Sequence, residues 1–154
     1  MRMFLFAKRN IKEILRDPIN LFFGLGFPLV LLALLSIINS AIPPEAKNTM
    51  FQINNLAPGL TMFGSVFMAL FAGMLLSKDR TSSFLMRLFT SPMTATDFIL
   101  GYSLPMIVMT IVQATITLLV AGFFGLNINI NILFAIIMTA LTSLLFVGTG
   151  LFFG

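Results

Sequence analysis

Cysteine, histidine and tryptophan are absent from this 154-residue chain, and charged side chains make up only 9% of it. Without cysteine there are no disulfides and no thiol nucleophile. Without histidine as well, zinc sites built on Cys and His and imidazole acid–base catalysis are excluded. The scarcity of charge excludes a water-soluble globule, because 58% of the residues are hydrophobic and the mean hydropathy is +1.05, leaving too little polar surface to face water. What the chain has instead is long apolar runs, and the fold class they predict is an all-α integral membrane protein.

Four runs are long enough to cross a bilayer, at about 20 residues each. They cover residues 19–40, 57–77, 99–124 and 132–154. Asp17-Pro18 opens the first, since proline suits the first turn and the aspartate caps orphan amides. Pro28 predicts a kink inside it. Pro58-Gly59 opens the second, in which Gly64, Ala69, Ala72 and Gly73 predict close helix packing. The third carries Pro105 and Gln113, whose amide either bonds to a neighbouring helix or faces a substrate path. The chain ends within the fourth run with no charge after Asp97, which reads as the N-terminal portion of a longer protein.

Ahead of the first run, residues 3–16 set Phe4, Ala7, Ile11, Ile14 and Leu15 at helical spacing, with Lys8, Arg9, Lys12, Glu13 and Arg16 between them. Such a helix either lies in the interface of an anionic membrane, with its apolar face in the acyl boundary, or is a positive flank that orients the next span. A secretory signal is a poorer reading, because the apolar run that follows is too long for an h-region. Arg2, Lys8, Arg9, Lys12, Arg16, Lys78, Arg80 and Arg87 fall on one side of the membrane, and only Lys47 falls on the other. The positive-inside rule therefore predicts a multi-pass protein with its N-terminus and the 78–98 loop in the cytoplasm. The net charge of +4 is thus a matter of topology, and no nucleic-acid partner is implied.

The 78–98 loop has order of its own. Thr81 or Ser82 can cap a short helix with Phe84, Leu85, Leu88 and Phe89 on one face, stopped by Ser91-Pro92, and Thr94 to Asp97 forms a second cap. By periodicity alone, this helix lies on the membrane or docks into a groove on a soluble partner.

The start, R9-N10-I11-K12-E13-I14-L15-R16-D17-P18, and the loop, D79-R80-T81-S82-S83-F84-L85-M86-R87-L88-F89-T90-S91-P92 followed by D97-F98-I99-L100-G101, together resemble the ABC-2 type permeases. These are membrane subunits of ATP-binding cassette exporters, and the resemblance covers the whole chain. It implies a permease in the plasma membrane that forms the translocation path with a second copy or a homologous half. It also implies a separate ABC ATPase subunit that hydrolyses ATP. The N-terminal helix would be the connecting helix, with Lys8, Arg9, Lys12 and Arg16 at the interface. A coupling helix would contact the ATPase through Arg80, Thr81, Phe84, Leu85, Arg87 and Leu88. Many relatives carry Gly-Thr-Leu-Glu where this chain has Ser82-Ser83-Phe84-Leu85, so a salt bridge through that glutamate is missing here.

The residues themselves agree with a non-enzymatic role. No GxxxxGK[ST] phosphate loop occurs, and no cofactor is expected. The four runs contain no Asp, Glu, Lys, His or Cys with which to build an intramembrane hydrolase. The alternative is a non-transporting membrane assembly factor or pore former, which would need no structured cytoplasmic helix.

Overall fold

A computed structural model describes residues 2–43, 49–82, 90, 94–127 and 129–154. Helix α1 is Arg2–Arg16, followed by α2 (Pro18–Ala41), α3 (Ile53–Thr81), α4 (Ala95–Phe123) and α5 (Ile130–Phe153). The last four are each long and apolar enough to cross a membrane. No strand occurs among the described residues.

The ends of the helices follow from local chemistry. Asp17 accepts from the amides of Ile19, at 3.0 Å, and Asn20, with Pro18 at the first turn, as the Asp-Pro pair predicts. Thr94 and Asp97 form a reciprocal capping box at the start of α4. At its other end, Gly125 adopts φ +96°, and the amides of Gly125 and Leu126 return to the carbonyls of Gly122 and Ala121. This is a Schellman stop, and Leu126 tucks into the core beside Ala121.

Helices α3 and α4 both begin upstream of the expected runs, α4 at Ala95 and not at residue 99. Helix α3 starts at Ile53, upstream of Pro58-Gly59, because Leu56 and Ala57 are buried with Leu60 and are held in the helix by packing. It then runs on to Thr81, so Lys78, Asp79 and Arg80 stand on a helix and not in a loop. Lys78 and Arg80 oppose the negative end of its dipole, and the hydroxyls of Thr81 and Ser82 donate to the carbonyls of Lys78 and Asp79, both at 2.9 Å. In α2 the disturbance expected at Pro28 takes the form of a π-helical turn over Phe22–Gly26, in which the Phe27 amide reaches back to the Phe22 carbonyl. Proline cannot bond to the carbonyl four residues earlier, and the widened turn absorbs that mismatch.

The central helix is α3. In its most apolar stretch 61% of residues are buried, against 17% in α2 and in α5. Helix α2 adheres to it through rings, with Phe23 and Phe27 centred 6.0 Å and 5.6 Å from Phe67. Helix α5 meets it backbone to backbone. A Cβ added at Gly73 would lie 2.7 Å from the Gly150 carbonyl oxygen, and one at Gly150 would collide with the Ala69 carbonyl. The stripe of small residues is therefore a packing face, in which an Ala69-x-x-x-Gly73 pair meets Gly150-x-x-x-Gly154. Gly150→Val should force the two helices apart and destabilise the protein by about 1–3 kcal/mol. Gly148→Ala, with nothing within 4 Å of its new Cβ, should be neutral; a comparison of thermal midpoints in detergent checks both.

Two apolar clusters occupy the two ends of the bundle, one around Met68, Tyr102 and Met106 and the other around Leu32, Leu60 and Leu118. Between them lies a buried polar layer of Thr61, Ser65, Gln113, Thr117, Thr139 and Ser143. Most of these hydroxyls bond back to their own helix, and Thr61 and Thr139 join α3 to α5 at 3.1 Å. Gln113 donates to Thr117 on its own helix at 3.2 Å and lies over Gly64 of α3. Its contribution across the helix boundary is thus steric, not the interhelical hydrogen bond expected of bilayer glue.

Candidate functional site at the N-terminal helix

The helical repeat of α1 divides its surface into three faces. Phe6, Ala7, Asn10 and Ile14 are buried against the protein, mostly on α4. Phe4 and Leu15 remain exposed, and Lys8, Lys12 and Arg16 form a third, basic face. The single apolar face expected from Phe4, Ala7, Ile11, Ile14 and Leu15 is therefore split. Ala7 and Ile14 pack on the bundle, while Phe4 and Leu15 are left for the surroundings. Asn10 belongs to the buried stripe because a specific acceptor awaits it.

That acceptor is the carbonyl of Gly101, reached by the Asn10 side-chain amide at 2.9 Å. Proline at position 105 has no N–H for the carbonyl four residues earlier, so the Gly101 oxygen would otherwise be orphaned inside α4. Gly101 matters for a second reason. A Cβ there would collide with the Phe6 ring, so only glycine lets α1 lie on the α4 backbone. Phe6 stands edge-on to Tyr102 at 5.0 Å, and Phe98 packs beside both, 5.1 Å from Tyr102 and 6.5 Å from Phe6.

Beside this contact Arg9 grips Asp79 with both guanidinium nitrogens, at 2.7 Å and 2.9 Å, and the Tyr102 hydroxyl donates to the same carboxylate at 2.7 Å. Asp79 is almost wholly buried, so its charge is tolerable only because a bidentate partner and a hydroxyl satisfy it. Hydrogen bonding to Asp79 pushes the Arg9 guanidinium further above its ordinary pKa, against a smaller opposing effect of burial. Arg9 also pairs with Glu13 at 2.8 Å, and Glu13 pairs with Lys78 at 2.8 Å. One network thus ties α1 to the ends of α3 and α4 that flank residues 82–94.

Of the residues expected to contact an ATPase, Arg80 and Thr81 stand exposed at the end of α3. Phe84, Leu85, Arg87 and Leu88 lie outside the described residues. Of the interfacial set, Arg9 enters the buried network, whereas Lys8, Lys12 and Arg16 do not. The periodicity reading passed over Asp79, Tyr102 and Asn10. The signal for Asp79 was its place on the stripe of Met68, Ala72 and Leu75, and the signal for Tyr102 was that it is the chain's single tyrosine. Among the described residues no group of three or more Asp, Glu, His or Cys side chains comes together to hold a metal. These contacts join α1 to α3 and α4.

Residues 1–154 match the family model described as ABC-2 type transporter. No match was found among curated proteins or among solved structures.

Proposed function

Because the chain belongs to the ABC-2 type transporter family and is a permease subunit of an ABC transporter, we propose that it forms part of an export path and is driven by a separate ATPase bound at residues 80–90. The observation that carries this reading is the Arg9–Asp79–Tyr102 network. A force applied to the connection between α3 and α4 acts on two helices that cannot move independently of α1. The joint transmits it to the membrane-spanning ends instead of dissipating it in a slack tether. Arg80, Thr81, Phe84, Leu85, Arg87 and Leu88 supply the contact, with the apolar side chains entering a groove on the ATPase. The basic residues on α1 and around 78–87 support a cytoplasmic position for this end by the positive-inside rule, and the plasma membrane and a second permease half are assigned from the family resemblance. Export is assigned from the resemblance of the start and loop motifs to those of ABC exporters.

The test is co-purification. The tagged chain, extracted in mild detergent from native membranes, should bring down an ABC ATPase, and Leu85→Asp and Leu88→Asp should each abolish that without reducing membrane expression. Undiminished recovery with both variants would remove the coupling assignment.

A further inference from the structure

Helix α1, the Asp17-Pro18 corner and the end of α3 enclose an open concavity of about 700 Å³. Five cations line it, Lys8, Arg9, Lys12, Arg16 and Lys78, against two carboxylates, Glu13 and Asp17, so its formal charge is 5 − 2 = +3. Both carboxylates are already engaged. Glu13 holds Arg9 and Lys78, and Asp17 caps α2. Lys8, Lys12 and Arg16 recur every four residues on one face of α1, are exposed, and make no ion pair among the described residues. Three long side chains with unspent charge therefore converge on a recess that an anion of modest size can enter.

The level of the recess says what kind of anion it is. Leu5 lines it, and Phe4 and Leu15 stand exposed on the same helix, while Ile19 and Phe22 stand exposed on the first turns of α2. Exposed apolar side chains on both elements place the recess at the boundary where acyl chains give way to headgroups. A water-borne phosphate has no use for those side chains; a phospholipid covers them with its chains while its headgroup meets the lysines. We propose that this concavity is a binding site for the headgroup of an anionic phospholipid, held by Lys8, Lys12 and Arg16. The lipid seats α1 against the bundle from the side opposite to Asn10 and Phe6, so the connecting helix is clamped between protein and a resident lipid.

The experiment places the full chain in nanodiscs of phosphatidylcholine doped with phosphatidylglycerol, then releases it and identifies the retained lipid by native mass spectrometry. Phosphatidylglycerol should be retained in preference to phosphatidylcholine. Each basic residue at a membrane surface contributes about a fivefold gain in affinity, so Lys12→Gln/Arg16→Gln should weaken retention by about 25-fold. Lys8→Arg/Lys12→Arg, which keeps the charge, should retain the lipid, as should Arg80→Gln, which removes a charge outside the recess. If the double glutamine variant fails to fold, Lys12→Gln and Arg16→Gln singly should each cost about fivefold. Equal retention of the two lipids, or loss with Arg80→Gln as large as with the double variant, would overturn the proposal. So would inorganic phosphate displacing phosphatidylglycerol at equal concentration, which would make the site one for a free anion. A double variant that keeps its lipid but loses a co-purifying ATPase would overturn it too, by making the patch a protein contact.

Discussion

Arg9→Met should be more damaging than Asp79→Ala, although Arg9 is the more exposed partner of the pair. The side chain of Asp79 is 3% exposed and that of Arg9 34%. Removing the arginine strands a carboxylate in the core with a single hydroxyl donor, and breaking a buried pair in that sense costs about 3–5 kcal/mol. Removing the aspartate leaves a guanidinium that keeps Glu13 and reaches water, together with a Tyr102 hydroxyl without its acceptor. About 2 kcal/mol is the expected cost there. The double variant Arg9→Met/Asp79→Ala should then be more stable than Arg9→Met alone, the non-additivity expected of residues coupled in one network. The absence of cysteine supplies a clean local readout. A cysteine introduced at Ala7, which lies on the buried side of α1, should resist maleimide in the parent and react readily in Arg9→Met. If Arg9→Met and Asp79→Ala shift the thermal midpoint equally and leave the Ala7→Cys probe protected, the network does not hold α1 in place.

The sequence made the class of this protein plain and left its joint obscure, for a physical reason. Span number, the Asp17-Pro18 start, the Thr94 cap and the Ala69/Gly73 packing face all depend on residues within a turn or two of one another, which is the range over which composition and period speak. Asp79 looked like the beginning of a loop because a carboxylate at the end of an apolar run ordinarily marks the water boundary. What draws it into the bundle is a guanidinium 70 residues away and a hydroxyl 23 residues away, and no local pattern announces either. The same holds for α1. Its periodicity establishes that one side is apolar, but not that Ala7 and Ile14 meet protein while Phe4 and Leu15 do not. Helix α3 likewise outruns its apolar segment at both ends, since Leu56 and Ala57 at one end and Asp79 at the other are kept helical by what they touch.

Asn10→Leu should loosen the same joint by a different route, and here a second substitution should repair it. The leucine fills the space but leaves the Gly101 carbonyl without a donor, because Pro105 cannot supply one, and an unsatisfied buried carbonyl costs about 1–3 kcal/mol. Pro105→Ala restores the backbone N–H that α4 lacks at that point. In that background the Gly101 oxygen regains an intrahelical partner, and Asn10→Leu should cost less than half as much as it does with proline present. Asn10 also accepts from the Arg9 guanidinium at 3.1 Å, a charge-assisted contact that the repair cannot restore, so rescue should be partial and not complete. Thermal midpoints of the parent, the two single variants and the double variant in one detergent decide the matter. Equal penalties for Asn10→Leu in the two backgrounds would mean that the amide does not stand in for the bond proline removes. A strongly reduced penalty would show that α1 docks by completing the backbone of α4, which is why an asparagine occupies the buried face of an otherwise apolar contact.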